Sequence, residues 1–247
     1  MLDDTPTYGS IAPLRNVRAL SELIERVQAR FDGLPGMACF HGPSGYGKTS
    51  AAAFAVNRFG AHHVQVKSCW TRKKLCEAIL KDIGVQPART IADMVDQIAE
   101  SLLRSGRPLL IDEADHLVDQ KKIELVRDIH ESSAATVILI GEEQLPIKLL
   151  QWERVHGRMA DWVAAEPATL NDVGHLVPIY SRGVDLDVDL QERLLDESRA
   201  SMRRIAINLG RVREFGLRMG KKQVGLADFA GERFFSGEAP APRRIAR

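Results

Sequence analysis

The sequence has few of the features that would assign its class at a glance. Its three cysteines, Cys39, Cys69 and Cys76, are odd in number and lack the spacing of metal ligands, so we predict reduced thiols rather than a disulfide framework or a zinc site. No apolar run reaches the roughly 18 residues that span a membrane, and the first residues lack the basic and then apolar order of a secretion signal. The sequence therefore predicts a cytoplasmic location and no membrane partner.

The chain also lacks a strong net charge, although its charges are unevenly placed. The formal net charge is +1 over 247 residues. From Ser201 to Arg247 there are 11 Lys and Arg against 4 Asp and Glu, a local balance of +7. A basic segment of this kind suits a nucleic acid or an acidic partner, and it equally suits a solvated helix. Charge alone leaves both interpretations open.

The strongest feature that is present is a phosphate-binding motif. Residues 42–49 match the pattern G-x-x-x-x-G-K-[ST], between an apolar run that predicts a buried strand and an Ala-rich run that predicts a helix. In such a P-loop the backbone N–H groups and the helix N-terminus bind phosphate oxygens, and the lysine reaches the β- and γ-phosphates. We predict that ATP is bound by Gly42, Pro43, Ser44, Gly45, Tyr46, Gly47, Lys48, Thr49 and Ser50.

Two carboxylates supply the second half of the predicted nucleotide site. Asp112 and Glu113 directly follow the apolar run 108–111. We predict that Asp112 and the Thr49 hydroxyl bind one Mg²⁺, and that Glu113 polarises the water that attacks the γ-phosphate. This pairing indicates hydrolysis rather than nucleotide binding alone. The residues that follow complete a D-E-A-D-H string, but the other helicase motifs are not visible.

A neutral γ-phosphate sensor is not evident in the sequence. The apolar run 137–140 should end beside the γ-phosphate, where many such ATPases carry Asn, Thr or Ser. Here the chain continues with Gly141, Glu142 and Glu143. The role of sensor is therefore unassigned.

Strand and helix signals alternate through the first two thirds of the chain. Such alternation predicts an α/β fold of three layers, a parallel sheet covered by helices on both faces. Strands are expected at 37–41, 63–66, 108–111 and 136–140, and helices at about 16–31, near 75–83, from an N-cap at Thr90, and at 123–129.

The last third of the chain predicts a small helical subdomain. Strand signals fade after about Thr169, Asn171 is a plausible helix cap, and helices are expected at about 188–199 and 201–219. We divide the chain into an N-terminal arm and helix (1–35), a P-loop core (36–169), a helical lid (170–233) and a disordered basic tail (234–247).

These elements in this order resemble an AAA+ ATPase, a P-loop NTPase fold with a C-terminal helical lid. The closer resemblance is to the phage Mu B, TnsC and TniB group of transposition ATPases, with ExeA-like secretion ATPases as relatives. The residues that carry it are the Asp-Glu-Ala-Asp string, the helix 123–130, an apolar strand ending in Gly141, the segment 152–158 and the paired arginines in 202–205.

The resemblance implies roles for arginines outside the P-loop. Arg158 matches an arginine finger, which would reach the γ-phosphate held by a neighbouring subunit, with Arg154 as the alternative. Arg203 matches the lid arginine that senses nucleotide in its own subunit, with Arg204 as the alternative. A finger acting in trans implies head-to-tail assembly into a hexameric ring or a helical filament.

The resemblance also implies a partner, double-stranded DNA, and a transposase that the DNA-bound assembly recruits or activates, in a bacterium or a phage-infected host cell. Sequence-nonspecific DNA contacts are expected from basic residues at two predicted helix starts. These residues are Arg72, Lys73, Lys74, Lys121 and Lys122. Two alternatives remain, a secretion or signalling ATPase that acts on protein partners and a loader of the replicative helicase.

Overall fold

The computed structural model of the protein describes residues 14–238. Within that range the chain forms two compact units, one from Arg15 to Glu166 and one that comprises Leu14 and the residues from Pro167 onward. Residues 1–13 of the predicted N-terminal arm and residues 239–247 of the predicted tail lie outside the described residues. None of the described helices combines the length and apolar character that a membrane crossing requires.

The first unit is built on a five-stranded sheet in the order β2-β3-β4-β1-β5, and every neighbouring pair is parallel. The parallel α/β architecture predicted from the alternation of elements is therefore confirmed. The strands are β1 (Met37–His41), β2 (His62–Gln65), β3 (Leu109–Asp112), β4 (Val137–Gly141) and β5 (Met159–Ala164).

Strand β5 was not predicted from the sequence. It lies at the edge of the sheet, beside β1 alone, and all six of its residues are half-buried or exposed. The central strands β3 and β4 are buried throughout, which is why they appear in the sequence as continuous apolar runs. An edge strand carries no such run, so its signal is weak.

Helices cover both faces of the sheet. Alternate strand residues, such as Leu109 and Ile111, pack with α3, α4 and α6 in the main hydrophobic cluster. The helices α1 and α2 contact each other, and α1 also contacts β1 and β5 whereas α2 contacts β2 and β3. The helices of this unit are α1 (Arg15–Gln28), α2 (Lys48–Phe59), α3 (Arg72–Ile83), α4 (Ile91–Ser105), α5 (Asp115–Asp119), α6 (Ile123–Ser133), α7 (Leu145–Leu149) and α8 (Glu153–His156).

The start of α4 and the end of α1 can be compared directly with the boundaries predicted from the sequence. The Thr90 hydroxyl accepts a hydrogen bond from the Asp93 N–H at 3.1 Å, so the predicted N-cap of α4 is confirmed. Helix α1 ends at Gln28 rather than near 31, and Phe31 is 83% exposed. Phe31 continues the helical spacing of the apolar residues but lies beyond the helix, where it contributes nothing to the core.

Between residues 167 and 238 the second unit contains four helices and a short parallel pair of strands that the sequence did not predict. Asn171 is not the cap of its first helix. Thr169 is the cap, because it accepts from the Asp172 N–H while the Asp172 carboxylate accepts from the Thr169 N–H. The elements are α9 (Leu170–Tyr180), β6 (Asp185–Leu186), α10 (Val188–Glu197), α11 (Met202–Arg218), β7 (Gln223–Val224) and α12 (Leu226–Phe229).

The predicted disordered tail begins too early. Phe235 donates its N–H to the side-chain oxygen of Asn208 at 2.7 Å, and the Asn208 amide donates to the Phe235 carbonyl at 3.2 Å. The ring of Phe234 lies 5.1 Å from that of Phe229. Phe234 and Phe235 therefore pack within the second unit, although the Pro/Ala/Arg-rich composition of the residues after them predicted disorder.

Candidate nucleotide-binding site

The P-loop lies at the carboxyl edge of the sheet, between the end of β1 and the start of α2. Gly47 caps α2 with φ of 82°, and Gly45 has φ of 88°, so both occupy the left-handed region that glycine tolerates without strain. The loop therefore turns directly into the helix. Its backbone N–H groups lie at a helix N-terminus, where the helix dipole favours an anion.

Lys48 is folded across the P-loop. Its ammonium donates to the carbonyl of Gly42 at 2.5 Å and to that of Pro43 at 2.9 Å. Burial lowers the pKa of Lys48, and the nearby carboxylates of Asp112 and Glu113 oppose that shift. The cation lies at the mouth of the loop, among the carboxylates of the predicted Mg²⁺ and water site.

The two predicted Mg²⁺ ligands are in direct contact. The Thr49 hydroxyl donates to Asp112 Oδ2 at 2.8 Å, although the residues are 63 positions apart in the sequence. Asp112 ends β3 and is 2% exposed. Mg²⁺ prefers oxygen ligands and is usually bound by one or two carboxylates together with substrate phosphates. A hydroxyl and a carboxylate adjoining a phosphate loop fit that ion.

Glu113 has an unusual backbone conformation. It follows β3 with φ of 56°, in the left-handed region that costs a non-glycine residue about 1–3 kcal/mol. Its N–H donates to Asp112 Oδ1 at 2.9 Å. The turn directs two successive carboxylates differently, because Asp112 faces Thr49 while Glu113 is half-buried on the following turn.

The end of β4 explains why a sensor residue is missing. An added Cβ at Gly141 would overlap Asp115 Oδ2 and the side chain of Leu145. Asp115 Oδ2 instead accepts the Glu142 N–H at 2.7 Å, and Asp115 Oδ1 lies 3.3 Å from Lys148 Nζ. The buried carboxylate of Asp115, the first residue of α5, thus occupies the space in which a side chain at 141 would stand.

Arg158 lies at the opposite edge of the sheet from the P-loop. Its carbonyl accepts the N–H of Met37, the first residue of β1, at 3.0 Å. The five residues of β1 separate the two edges, about 16 Å at the usual rise of ~3.3 Å per residue. The Arg158 guanidinium donates to Glu131 through Nε at 2.7 Å and Nη2 at 2.6 Å. The alternative, Arg154, is exposed on α8.

Arg203 and Arg204 belong to the second unit. Both lie in the first turn of α11, where Arg203 is exposed and Arg204 is half-buried beside Gly237.

The two predicted basic segments form one surface. Arg72 Nη2 donates to the carbonyl of Lys121 at 3.2 Å, and the Lys122 ammonium bonds the carbonyl of Trp70. We call the four exposed residues Arg72, Lys73, Lys74 and Lys121 the basic surface. Lys122 differs from them because its ammonium is half-buried and holds the two segments together.

Four polar residues near these sites escaped the sequence reading. Asn16 on α1 is 2% exposed and donates to the carbonyls of Tyr46 in the P-loop and Glu166, each at 2.8 Å. His63 places Nε2 4.0 Å from Asp112 Oδ2. Asp115 and Glu131 are the others. Each contacts a residue far away in the sequence; Asp115 belongs to the Asp-Glu-Ala-Asp string, but that string does not predict its contact with the Glu142 N–H.

Comparison with known proteins supports the P-loop reading. Residues 32–149 match the family model described as AAA domain (AAA_22), a segment that holds the P-loop and the Asp112-Glu113 pair. The chain is 26% identical over 186 residues to ORC1-type DNA replication protein 1 of Halobacterium salinarum. That match covers 70% of this chain and 57% of the relative.

Two solved structures share the fold. The Aeropyrum pernix ORC1 protein in complex with DNA superposes with a TM-score of 0.65 at 18% identity, over 92% of this chain and 66% of that one. The Aeropyrum pernix ORC2 protein in its ADP form gives 0.68 at 13% identity, over 91% and 70%. The predicted P-loop AAA+ fold is confirmed. The narrower resemblance to transposition ATPases stays a prediction.

Proposed function

We propose that the protein is an AAA+ ATPase that binds double-stranded DNA in an ATP-dependent assembly. The observation that carries the proposal is the contact at 2.8 Å between the Thr49 hydroxyl and Asp112, at the foot of a glycine-hinged P-loop. It unites the two halves of a Mg²⁺-nucleotide site across 63 residues of sequence. The AAA domain match over residues 32–149 supports the same activity.

Within one subunit the P-loop residues bind the phosphates of ATP. The loop N–H groups face an anion, and Lys48 exchanges its two carbonyl partners for phosphate oxygens. Thr49 and Asp112 hold Mg²⁺, which neutralises charge on the β- and γ-phosphates when bound. Glu113 orients a water and accepts its proton.

Completion of the site requires a second subunit. Arg158 lies at the amino edge of the sheet, and its own P-loop lies at the carboxyl edge. A guanidinium at that edge serves a neighbour's ATP in a head-to-tail assembly, a ring or a filament. Arginine fingers accelerate hydrolysis by about 10³–10⁵ in other P-loop enzymes. Arg203, in the helical lid, contributes a contact to nucleotide in its own subunit.

A mixing experiment tests whether one subunit supplies the ATP site and its neighbour supplies the arginine finger. Lys48→Ala removes the ATP site but keeps the finger, whereas Arg158→Ala keeps the site and removes the finger. Each variant alone should be inactive. An equal mixture should recover about a quarter of the parental ATPase rate, since half of the subunits retain a P-loop and half of their neighbours an arginine. An Arg158→Ala protein that hydrolyses ATP at the parental rate would sink the trans assignment.

The basic surface is the proposed DNA contact. Four exposed cations on two joined segments suit phosphate oxygens without sequence preference. The test is fluorescence anisotropy of a random duplex, with and without a slowly hydrolysed ATP analogue, over a series of salt concentrations. Removing Arg72, Lys73 and Lys74 together should flatten the salt slope by about 0.9 for each lost contact. Lys81→Ala, at the other end of α3, is the control and should leave the slope unchanged.

The proposed role of the assembly is to recruit or activate a transposase on target DNA, with hydrolysis dissolving it. The residues that resemble transposition ATPases support this role. A second candidate is loading of a replication protein onto DNA, favoured by the similarity to an ORC1-type replication protein. Co-precipitation of the ATP-bound assembly with a purified transposase and with a purified replicative helicase distinguishes the two.

A further inference from the structure

Glu131 holds Arg158 by the part of its guanidinium nearest the chain. Nε and Nη2 both donate to the same oxygen, Glu131 Oε1, at 2.7 and 2.6 Å. Among the described residues, no acceptor lies against Nη1. A guanidinium is planar and rigid, so fixing one edge also fixes the direction of the remaining amino group.

Glu131 is itself held from the other side. Its Oε2 lies 3.3 Å from Arg127 Nη1, and Arg127 pairs with Asp128 at 2.5 Å. Exposure decreases along the series, from 47% for the Arg158 side chain to 35% for Glu131 and 18% for Arg127. A single exposed ion pair contributes little, but a network with good geometry restrains its members.

The free edge of Arg158 faces open space. Arg158 and Glu131 lie on the wall of a cavity of about 770 Å³ that also includes Arg30 and His130. The pKa of Glu131 lies below its ordinary value, chiefly because of the hydrogen bond from Arg158, so the carboxylate is charged at neutral pH. Arg30 lines the same cavity as Arg158, and the charge of Arg30 is offset by Asp32 on the same wall.

We infer that Glu131 is a positioning residue that orients Arg158 Nη1 toward the triphosphate of a neighbouring subunit. The inference rests on the proposed function, because it assumes that Arg158 acts in trans. An unrestrained arginine on an exposed loop samples many rotamers, and ordering it costs side-chain entropy at the moment of reaction. The Arg127–Glu131 pair orders the Arg158 side chain before the reaction, so less entropy is lost at that moment. A misplacement of about 1 Å in such a group lowers a rate by up to ~10²-fold.

The experiment compares Glu131→Ala, Arg158→Ala and the double variant in the full chain, by steady-state ATP hydrolysis at saturating protein. Glu131→Ala should lower kcat by about 10-fold to 10²-fold and leave KM for ATP unchanged. The double variant should be no slower than Arg158→Ala, because Glu131 acts only through the arginine. The matched control is Glu100→Ala, which breaks the exposed Glu100–Arg104 pair on α4 and should keep the parental rate.

Each outcome decides a separate point. If Arg158→Ala lowers kcat and Glu131→Ala has the same kcat as the Glu100→Ala control, Glu131 does not position the arginine. Arg158 would then still act as the arginine finger. A double variant slower than Arg158→Ala would place the effect of Glu131 elsewhere. An Arg158→Ala protein at the parental rate would remove the finger itself, and the inference with it. Should Glu131→Ala fold poorly, Glu131→Gln keeps the acceptor without the charge and should lose less of the rate than alanine.

Discussion

The two edges of the central sheet are built differently. At the carboxyl edge Asp112 is buried, Lys48 is half-buried and Thr49 is exposed, and all three are bonded to one another or to the P-loop backbone. At the amino edge Arg158 and Glu131 are exposed and are held by ion pairs between side chains. The first arrangement works within one chain. The second, under the proposed function, pre-orders Arg158 for the nucleotide of a neighbouring subunit.

The largest effect should come from Glu113, the proposed water-activating residue at the carboxyl edge. Glu113→Gln should keep ATP binding, since its neighbours Thr49 and Asp112 are untouched, and should slow hydrolysis by about 10²–10⁴-fold because a general base is lost. Nucleotide binding by titration calorimetry and phosphate release measure the two quantities. The variant should also remain longer on DNA. Hydrolysis at the parental rate would show that another residue activates the water.

A middle-sized effect should come from the end of β4. Gly141→Ala places a methyl group against Asp115 Oδ2 and Leu145, and overpacking of this kind costs about 1–3 kcal/mol of unfolding free energy. Urea unfolding followed by circular dichroism gives the value. Gly210→Ala is the control, because nothing lies within 4 Å of an added Cβ there and α11 is a regular helix. The control should stabilise by about 0.5–1 kcal/mol. Equal effects of the two substitutions would contradict the crowding at Gly141.

The smallest expected effect concerns the pH dependence of stability and comes from His130, near the amino edge. Burial lowers the pKa of His130 from its ordinary 6.5, the hydrogen bond to the Ala135 carbonyl opposes this, and Arg30 and Arg158 lower it further. The folded state therefore favours neutral His130. Because the pKa of His130 is lower in the folded state than in the unfolded state, this contribution to the unfolding free energy is complete above pH 6.5 and is lost as the pH falls through the folded pKa.

The unfolding free energy should therefore decrease from pH 6.5 downward, by at most about 1.4 kcal/mol per pH unit for one proton. His130→Asn should show a flatter dependence than the parent in denaturant titrations at successive pH values. His156→Asn, at an exposed histidine, should behave as the parent does. A parental slope in His130→Asn would assign the acid sensitivity to other groups.

Prediction from the sequence succeeded where the signal is local. The P-loop, the buried strands β3 and β4 and the cap at Thr90 are each specified by residues within one short window, so their spacing is sufficient. It failed where the cause is a contact across the fold. Asp115 fills the space at Gly141 only because β3 and β4 are neighbours, and β5 is a strand chiefly because β1 offers it an edge.

The same reasoning divides the site residues. The pairing of Thr49 with Asp112 followed from known motifs, whereas the support of Arg158 by Glu131 required the packing of α6 beside the start of β5. A carboxylate 27 positions upstream of an arginine has no signature in the sequence. The basic surface lies between these cases, since both of its segments were evident but their union through Lys122 was not.

Asn16 gives the P-loop a mechanical link that reaches beyond nucleotide chemistry. Its amide joins the Tyr46 carbonyl to the backbone of Glu166, which it contacts through both the carbonyl and the N–H. Glu166 is the last residue of the first unit, and the chain of the second unit continues from it. Any displacement of the loop on binding or release of phosphate would also move that peptide. A single buried amide therefore couples the P-loop to the covalent junction of the two units.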